Sequence, residues 1–161
     1  MTIKVNGKDV EAYRLIMRKT NALDILKGTK KIEIRDFSKT YGDMFIDPEK
    51  EKVYLKKMEE PDFEYIDKNG VAECDKIYKD TKYIYFTNYT TSWDLVAEIE
   101  QIFMLWFTDD DMEFLSKELN FHDLEESYKE YKANGHDDNE DGTPAFFAIE
   151  LKGVVSHRGL A

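Results

Sequence analysis

The spacing of apolar residues changes along the chain, and this change restricts the fold more than any other sequence feature. Residues 31–35 alternate polar and apolar side chains, which predicts a half-buried β-strand. Residues 92–134 instead carry apolar side chains at helical spacing, beginning with Leu95, Val96, Ile99, Ile102, Phe103 and Trp106. A chain of 161 residues with both patterns is predicted to form one α+β domain over 1–161. We expect a mostly antiparallel sheet or barrel with a helical lobe at about 92–134.

Turn and cap residues predict the limits of further elements. Asn6-Gly7 is a favoured two-residue hairpin turn, and Gly28 stands where a short helix capped by Thr20 or Asn21 would end. Thr91 and Thr108 each precede an acidic residue at capping-box spacing, which predicts two further helix starts. The predicted strands are 2–5, 8–11, 13–18, 31–35, 44–46, 53–55, 83–86 and 146–151, and the predicted helices are 22–26, 95–106, 109–119 and 121–131.

The sequence holds a single cysteine, Cys74, which excludes an internal disulfide and a zinc site built on a cysteine pair. The first residues lack the continuous apolar stretch of a signal peptide, and no window approaches the roughly 18 apolar residues of a membrane helix. The nucleophile-elbow and P-loop motifs are also missing. We therefore expect a cytoplasmic protein without membrane association and without a cofactor.

Charge is distributed unevenly along the chain. The net charge is −11, yet ten basic and five acidic side chains give residues 1–42 a charge of +5, while residues 43–161 carry −16. An acidic protein binds long nucleic acids poorly, because affinity for phosphate comes mainly from Lys and Arg. The basic N-terminal quarter instead indicates where a short anionic ligand would bind, since such a ligand responds to local charge more than to distant acids.

The segment 23–36 resembles the signature of the ASCH domain, a member of the PUA-like superfamily. Its pattern of Gly-x-Lys-x-x-Glu-x-Arg is matched by Gly28, Lys30, Glu33 and Arg35. The resemblance implies a small closed β-barrel with flanking helices, which binds RNA or nucleotides in a cleft beside the motif. In a subset of the family that hydrolyses N4-acetylcytidine, a Lys at the position of Lys30 and a Thr at the position of Glu33 are catalytic, together with a Glu elsewhere. This chain departs from that subset at Glu33.

The residues of the motif allow two interpretations. On a strand, Lys31, Glu33 and Arg35 share one face, while Ile32 and Ile34 point to the core. A row of alternating charges is typical of a solvated sheet surface, which is the first interpretation. The second is a polar ligand-binding cleft.

In a cleft, each polar side chain would have a role that suits its chemistry. Arg35 would bind a phosphate or carboxylate in a bidentate manner, and Glu33 would accept hydrogen bonds from a base edge or act as a general base. Lys30 and Lys31 would contact phosphate, and Lys30 would act as a nucleophile or proton carrier if burial lowered its pKa. Tyr41 follows the motif and would stack on a base.

A weak calcium motif lies in the acidic loop before the last strand. Asp137, Asn139, Asp141 and Gly142 match positions 1, 3, 5 and 6 of a calcium-binding loop, but position 12 is Ala148 instead of Glu. We therefore expect at most an incomplete site, with an acidic surface loop as the alternative.

Three functional hypotheses follow from these patterns. The leading one is a PUA-like module that binds RNA or a small nucleotide or nucleoside through Lys30, Lys31, Glu33, Arg35 and Tyr41. The second is a small amidohydrolase acting on N4-acylated cytidine, with Lys30 and Glu33 as its reactive pair. The third is a protein-interaction domain that binds a partner through the acidic helical lobe.

Overall fold

The computed structural model describes residues 1–136 and 143–160, which form six strands and five α-helices. The strands are β1 Thr2–Val5, β2 Lys8–Ile16, β3 Ile32–Asp36, β4 Tyr83–Thr87, β5 Asp94–Trp106 and β6 Ala145–Arg158. The helices are α1 Lys19–Lys27, α2 Lys39–Phe45, α3 Pro48–Met58, α4 Asp109–Leu119 and α5 Glu125–Ala133. A 3-10 turn covers Glu73–Asp75. The predicted mixture of helices and strands is therefore confirmed.

The six strands form one sheet in the order β1-β2-β4-β5-β6-β3. β2 and β4 are parallel, and the other neighbouring strands are antiparallel. The predicted β1–β2 hairpin is confirmed, and its turn residues Asn6 and Gly7 have φ of 52° and 77°, the left-handed values that this turn requires. Over the described residues the sheet is open, with β1 and β3 as its edges, so the α+β class is confirmed but a closed barrel is not.

Two apolar cores lie on opposite faces of the sheet. The larger core contains side chains from β2, β4, β5 and β6, together with α1 and α2. The smaller core joins β3, β5 and β6 to α4 and the residues that follow it. Ile149 of β6 belongs to the larger core and its neighbour Ala148 to the smaller one, as the alternation of side chains along a strand requires.

This arrangement covers both faces of β3. Ile32 and Ile34 contribute to the smaller core, which confirms that they point to apolar surroundings. Glu33 pairs with Ile149 and Arg35 pairs with Phe147, so both charged side chains lie on the side of the larger core. The polar face of this strand is therefore not a solvated sheet surface.

The segment predicted as the first helix of the lobe is β5, so that prediction is wrong. β5 lies between β4 and β6 and buries side chains on both faces. Its pairing register with β6 shifts three times between Val96 and Gln101. Because each irregularity interrupts the strict alternation of a strand, the apolar residues recur at spacings that imitate a helix. The capping box expected at Thr91 is absent, since Thr91 has φ of 53° in the turn before β5.

The helical lobe is consequently limited to α4 and α5. The predicted start of α4 is confirmed, because Thr108 Oγ1 accepts a hydrogen bond from the Asp111 main-chain N–H at 3.2 Å. None of the helices in the described ranges combines the length and the apolar composition that crossing a bilayer requires. A protein partner for this lobe stays a prediction.

Two short strands predicted between the motif and β4 are also wrong. Residues 44–46 end α2 and begin the following connection, and residues 53–55 lie within α3. Ser38 caps α2 by accepting from the Tyr41 main-chain N–H, and Asp47 caps α3 with Pro48 in its first turn. Caps and a proline at N1 start helices despite the β-favouring aromatic and branched residues inside them.

Candidate functional site

The motif begins at a tight turn between α1 and β3. Gly28 ends α1 with φ of 80°, which confirms its predicted role as a helix terminator. The Asp24 carbonyl oxygen accepts main-chain hydrogen bonds from Thr29 and Lys30 at 3.0 and 3.1 Å. These bonds fix the direction in which the chain leaves the helix and enters β3, and thereby place Lys30 beside Glu33.

Glu33 is the centre of a buried charge cluster. Its exposed fraction is 8 %, although carboxylates are almost never fully buried without compensation. Glu33 Oε1 lies 3.4 Å from Arg35 Nε, and Glu33 Oε2 lies 3.8 Å from Lys30 Nζ. Two basic side chains therefore face the two oxygens of one carboxylate inside the protein.

The two contacts leave hydrogen-bonding capacity unused. Neither Glu33 Oε2 nor Arg35 Nε has a hydrogen-bond partner among the described residues. Burial raises the pKa of Glu33, and the opposing effects of Lys30 and Arg35 do not cancel that increase. This carboxyl group therefore holds a proton more readily than an ordinary glutamate, a property that suits hydrogen-bond donation or proton transfer.

Arg35 is held by groups outside the motif. Its Nη1 donates to Tyr41 Oη at 2.9 Å, and its Nη2 donates to the Ile16 carbonyl oxygen at 2.8 Å. The guanidinium carbon also lies 5.5 Å from the centre of the Tyr41 ring. Arg35 thus connects β3 to the end of β2 and to α2, and much of its donor capacity is directed to the protein itself.

Lys30 is nearly as buried as Glu33 and contacts two carboxylates and one aromatic ring. Its side chain is 12 % exposed, and Nζ lies 5.6 Å above the centre of the Phe121 ring. Nζ also lies 3.8 Å from a carboxylate oxygen of Asp123, which sits between α4 and α5. Within the described chain no hydrogen bond involves Nζ, although an ammonium group can donate three.

A groove lies between the α1–β3 turn and the connection from α4 to α5. Its volume is about 510 Å³, and its walls include Asp24, Lys30, Lys31, Phe121 and Asp123. A second groove of about 500 Å³ lies on the other side of the turn, between α1 and β6. Both grooves include Lys30 and Lys31, so these two lysines separate them.

The structure divides the residues that the sequence grouped together. Lys30 and Lys31 line both grooves, and Glu33 lies behind Lys30. Of the described residues, Glu33, Arg35 and Tyr41 line neither groove. Lys30 and Lys31 therefore lie on a concave surface where a ligand could contact them. Arg35 and Tyr41 are instead hydrogen-bonded to each other.

Sequence reasoning missed the opposite wall of the first groove. Asn120 ends α4 with φ of 48°, and the residues after it carry Phe121 and Asp123 to Lys30. His122 is held in the same segment by contacts of Nδ1 with Glu125 and of Nε2 with Asn120, at 2.6 and 3.0 Å. An asparagine that ends a helix predicts a turn, but no local signal predicts that this turn faces the motif.

The sequence also contains a possible calcium-binding loop and a single cysteine. Asp137, Asn139 and Asp141, the possible calcium ligands, lie outside the described residues. Among residues 1–136 and 143–160, no group of three or more His, Cys, Asp or Glu side chains is arranged to hold a metal ion. Burial and the nearby Asp75 raise the pKa of Cys74 to about 11, so the thiol is protonated at neutral pH.

Comparison of the chain with protein-family models, curated proteins and solved structures finds no match. The functional interpretation therefore depends on the geometry of the site and on the motif.

Proposed function

We propose that this protein is a PUA-like domain of the ASCH type that binds a small nucleotide or nucleoside in the groove beside Lys30. The observation that carries the proposal is the buried Glu33 carboxylate, which lies behind Lys30 with one oxygen lacking a hydrogen-bond partner in the described chain. Burying such a group destabilises the folded protein unless it is fully paired. Ionisable groups whose pKa is shifted by burial and by specific charged neighbours, as that of Glu33 is, cluster at functional sites.

The groove supports a ligand of this size and polarity. A volume of about 510 Å³ falls within the range of about 300–1,000 Å³ that is typical of small-molecule sites. Lys30 and Lys31 offer ammonium groups to a phosphate, and Phe121 supplies an apolar wall. Acidic side chains such as Asp24 would accept hydrogen bonds from base amino groups.

Overall charge favours a short ligand over a long RNA. The net charge of −11 repels an extended phosphate backbone, while the lysines beside the groove act over a short distance. An RNA partner would therefore bind through one or a few nucleotides, with little contribution from the rest of the molecule.

Isothermal titration with cytidine, CMP and a short cytidine-containing RNA tests the binding function. We expect saturable binding, and we expect Lys30→Gln to weaken it at least ten-fold without preventing folding. Lys68→Ala is a charge-matched control, since Lys68 lies at neither groove. Equal affinities of the wild type and Lys30→Gln, or no binding of any of these ligands, would refute the proposal.

The Lys30–Glu33 pair favours hydrolysis of N4-acylated cytidine as a second candidate. Water adds to the acyl carbonyl carbon, the C–N bond breaks, and the amine leaves with a proton, which gives cytidine and a carboxylic acid. The Lys30 ammonium would stabilise the oxyanion. Glu33 lies behind Lys30 and outside the grooves, so its raised pKa suits a group that returns a proton to Lys30 after the Lys30 ammonium has given one to the leaving amine.

Chromatographic detection of cytidine from a panel of N4-acylcytidines tests this second candidate. We expect release of cytidine by the wild type and by Lys68→Ala, and a loss of at least 100-fold in Lys30→Gln and Glu33→Gln. Binding without release would leave the protein a binding module.

A further inference from the structure

The ammonium group of Lys30 lies between two carboxylates that differ in their freedom to move. Its Nζ is 3.8 Å from Glu33 Oε2 and 3.8 Å from Asp123 Oδ2. The Glu33 side chain is 10 % exposed and is fixed within β3, whereas the Asp123 side chain is 70 % exposed and belongs to the connection between α4 and α5. Only Asp123 can leave Lys30 by rotating toward solvent.

Neither carboxylate hydrogen-bonds to Lys30. Both distances exceed the 2.7–2.9 Å of a charge-assisted hydrogen bond, and both carboxylates are therefore ion-pair partners only. The Glu33 carboxyl group lies behind Lys30 and lines neither groove, so it does not stand between Nζ and a ligand. The exposed Asp123 carboxylate occupies the groove side, which is the side from which a ligand reaches Nζ.

We propose that Asp123 is a displaceable counterion, whose place at Lys30 is taken by an acidic group of the incoming ligand. This inference rests on the proposed binding function and specifies its ligand class. A phosphate or carboxylate would replace Asp123 at Nζ and would accept the hydrogen bonds that Asp123 does not. The site would therefore select a nucleotide over the corresponding nucleoside, and Asp123 would lower the affinity for anions by competing with them.

Titration of CMP, cytidine and inorganic phosphate into the wild type and Asp123→Asn tests this proposal. We expect Asp123→Asn to tighten CMP binding about two- to five-fold, the range expected for removal of one exposed ion pair. The affinity for cytidine should be unchanged, and the gain for CMP should disappear in Lys30→Gln/Asp123→Asn. Glu126→Gln removes an equal charge from exposed α5 outside the groove and should produce less than half of this gain.

The possible results distinguish recognition of the phosphate group, the counterion role of Asp123 and the binding function itself. Phosphate that competes with CMP would support recognition of the phosphate group itself. A weaker affinity of Asp123→Asn for CMP, or an equal gain for cytidine and CMP, would overturn the counterion role. Cytidine binding without any effect of Asp123→Asn on CMP would overturn this inference alone, whereas no binding by any protein would refute the proposed function as well.

Discussion

Arg35 Nη2 donates a hydrogen bond of 2.8 Å to the main-chain carbonyl oxygen of Ile16, and this bond joins two strands that are not neighbours in the sheet. Ile16 ends β2, while Arg35 lies on the edge strand β3. The same guanidinium binds Tyr41 in α2 and faces Glu33. One side chain therefore links the strand that carries the motif to the opposite part of the sheet. Its removal is expected to lower the stability of the fold more directly than it changes ligand binding.

We expect Arg35→Ala to lower the free energy of unfolding by about 2–4 kcal/mol. The change removes two hydrogen bonds and leaves the buried Glu33 carboxylate with one basic neighbour fewer. Urea denaturation at neutral pH measures the loss. Arg14→Ala is the matched control, because Arg14 is exposed on β2, and it should change stability by less than about 0.5 kcal/mol. Similar losses in both variants would contradict the bridging role of Arg35.

Replacing Glu33 with Gln should change the dependence of stability on pH. The pKa of Glu33 is raised above its ordinary value of 4.5, so between these values the folded state binds more protons than the unfolded state. The contribution of Glu33 to stability is therefore greatest below pH 4.5 and falls as pH rises through the raised pKa.

Unfolding free energies of the wild type and Glu33→Gln, measured from pH 4 to pH 8, test this sign. We expect the stability of the variant relative to the wild type to increase with pH and then to level off. Asp75 and Asp111 also have raised pKa values, but they are present in both proteins and cancel in the difference. A difference that is constant or decreases with pH would contradict the burial argument.

The part of β5 after Glu98 has no pairing partner in β4, and one of its main-chain N–H groups is bound by a side chain instead. β4 pairs with β5 only over Asp94–Glu98, and further along β5 the Met104 N–H donates to Asp75 Oδ1 at 3.0 Å. We expect Asp75→Ala to destabilise the protein by about 1–2 kcal/mol, because it removes the acceptor. Asp75→Asn keeps an acceptor oxygen, so it should be the milder change. It also removes a negative charge that burial disfavours, as the raised pKa of the Asp75 carboxyl group indicates. Thermal unfolding compares the two variants. Equal losses of stability would argue against Asp75 as the hydrogen-bond acceptor of Met104.

Gly28→Ala should destabilise the protein by about 1 kcal/mol, because Gly28 has φ of 80° and an L-residue with a side chain rarely adopts this conformation. An added Cβ would have no atom within 4 Å, so backbone strain alone accounts for the loss. Gly153→Ala is the control, since its Cβ would also contact nothing and its φ lies outside the left-handed region. Chemical denaturation of both variants should show a loss only in Gly28→Ala.

Local signals correctly predicted the first hairpin, the end of α1 and strand β3. Asn6-Gly7 specifies a hairpin turn, Gly28 ends a helix, and the alternation at 31–35 produces β3, because each depends on a few consecutive residues. The same reasoning was wrong for β5, since a strand buried on both faces with register shifts has no regular alternation to recognise. It was also wrong for 44–46 and 53–55, where helix caps override β propensity.

The sequence by itself determined which side chains share a face of β3 and where the turn before it lies. Only the tertiary structure decided that Glu33 is buried, since this depends on pairing with β6 and on packing of α2 against the larger core. It likewise brought Asp123 to Lys30, across more than 90 residues of chain. Backbone geometry and caps act over a few residues, whereas burial and ion pairing arise from contacts between distant segments, which no local pattern encodes.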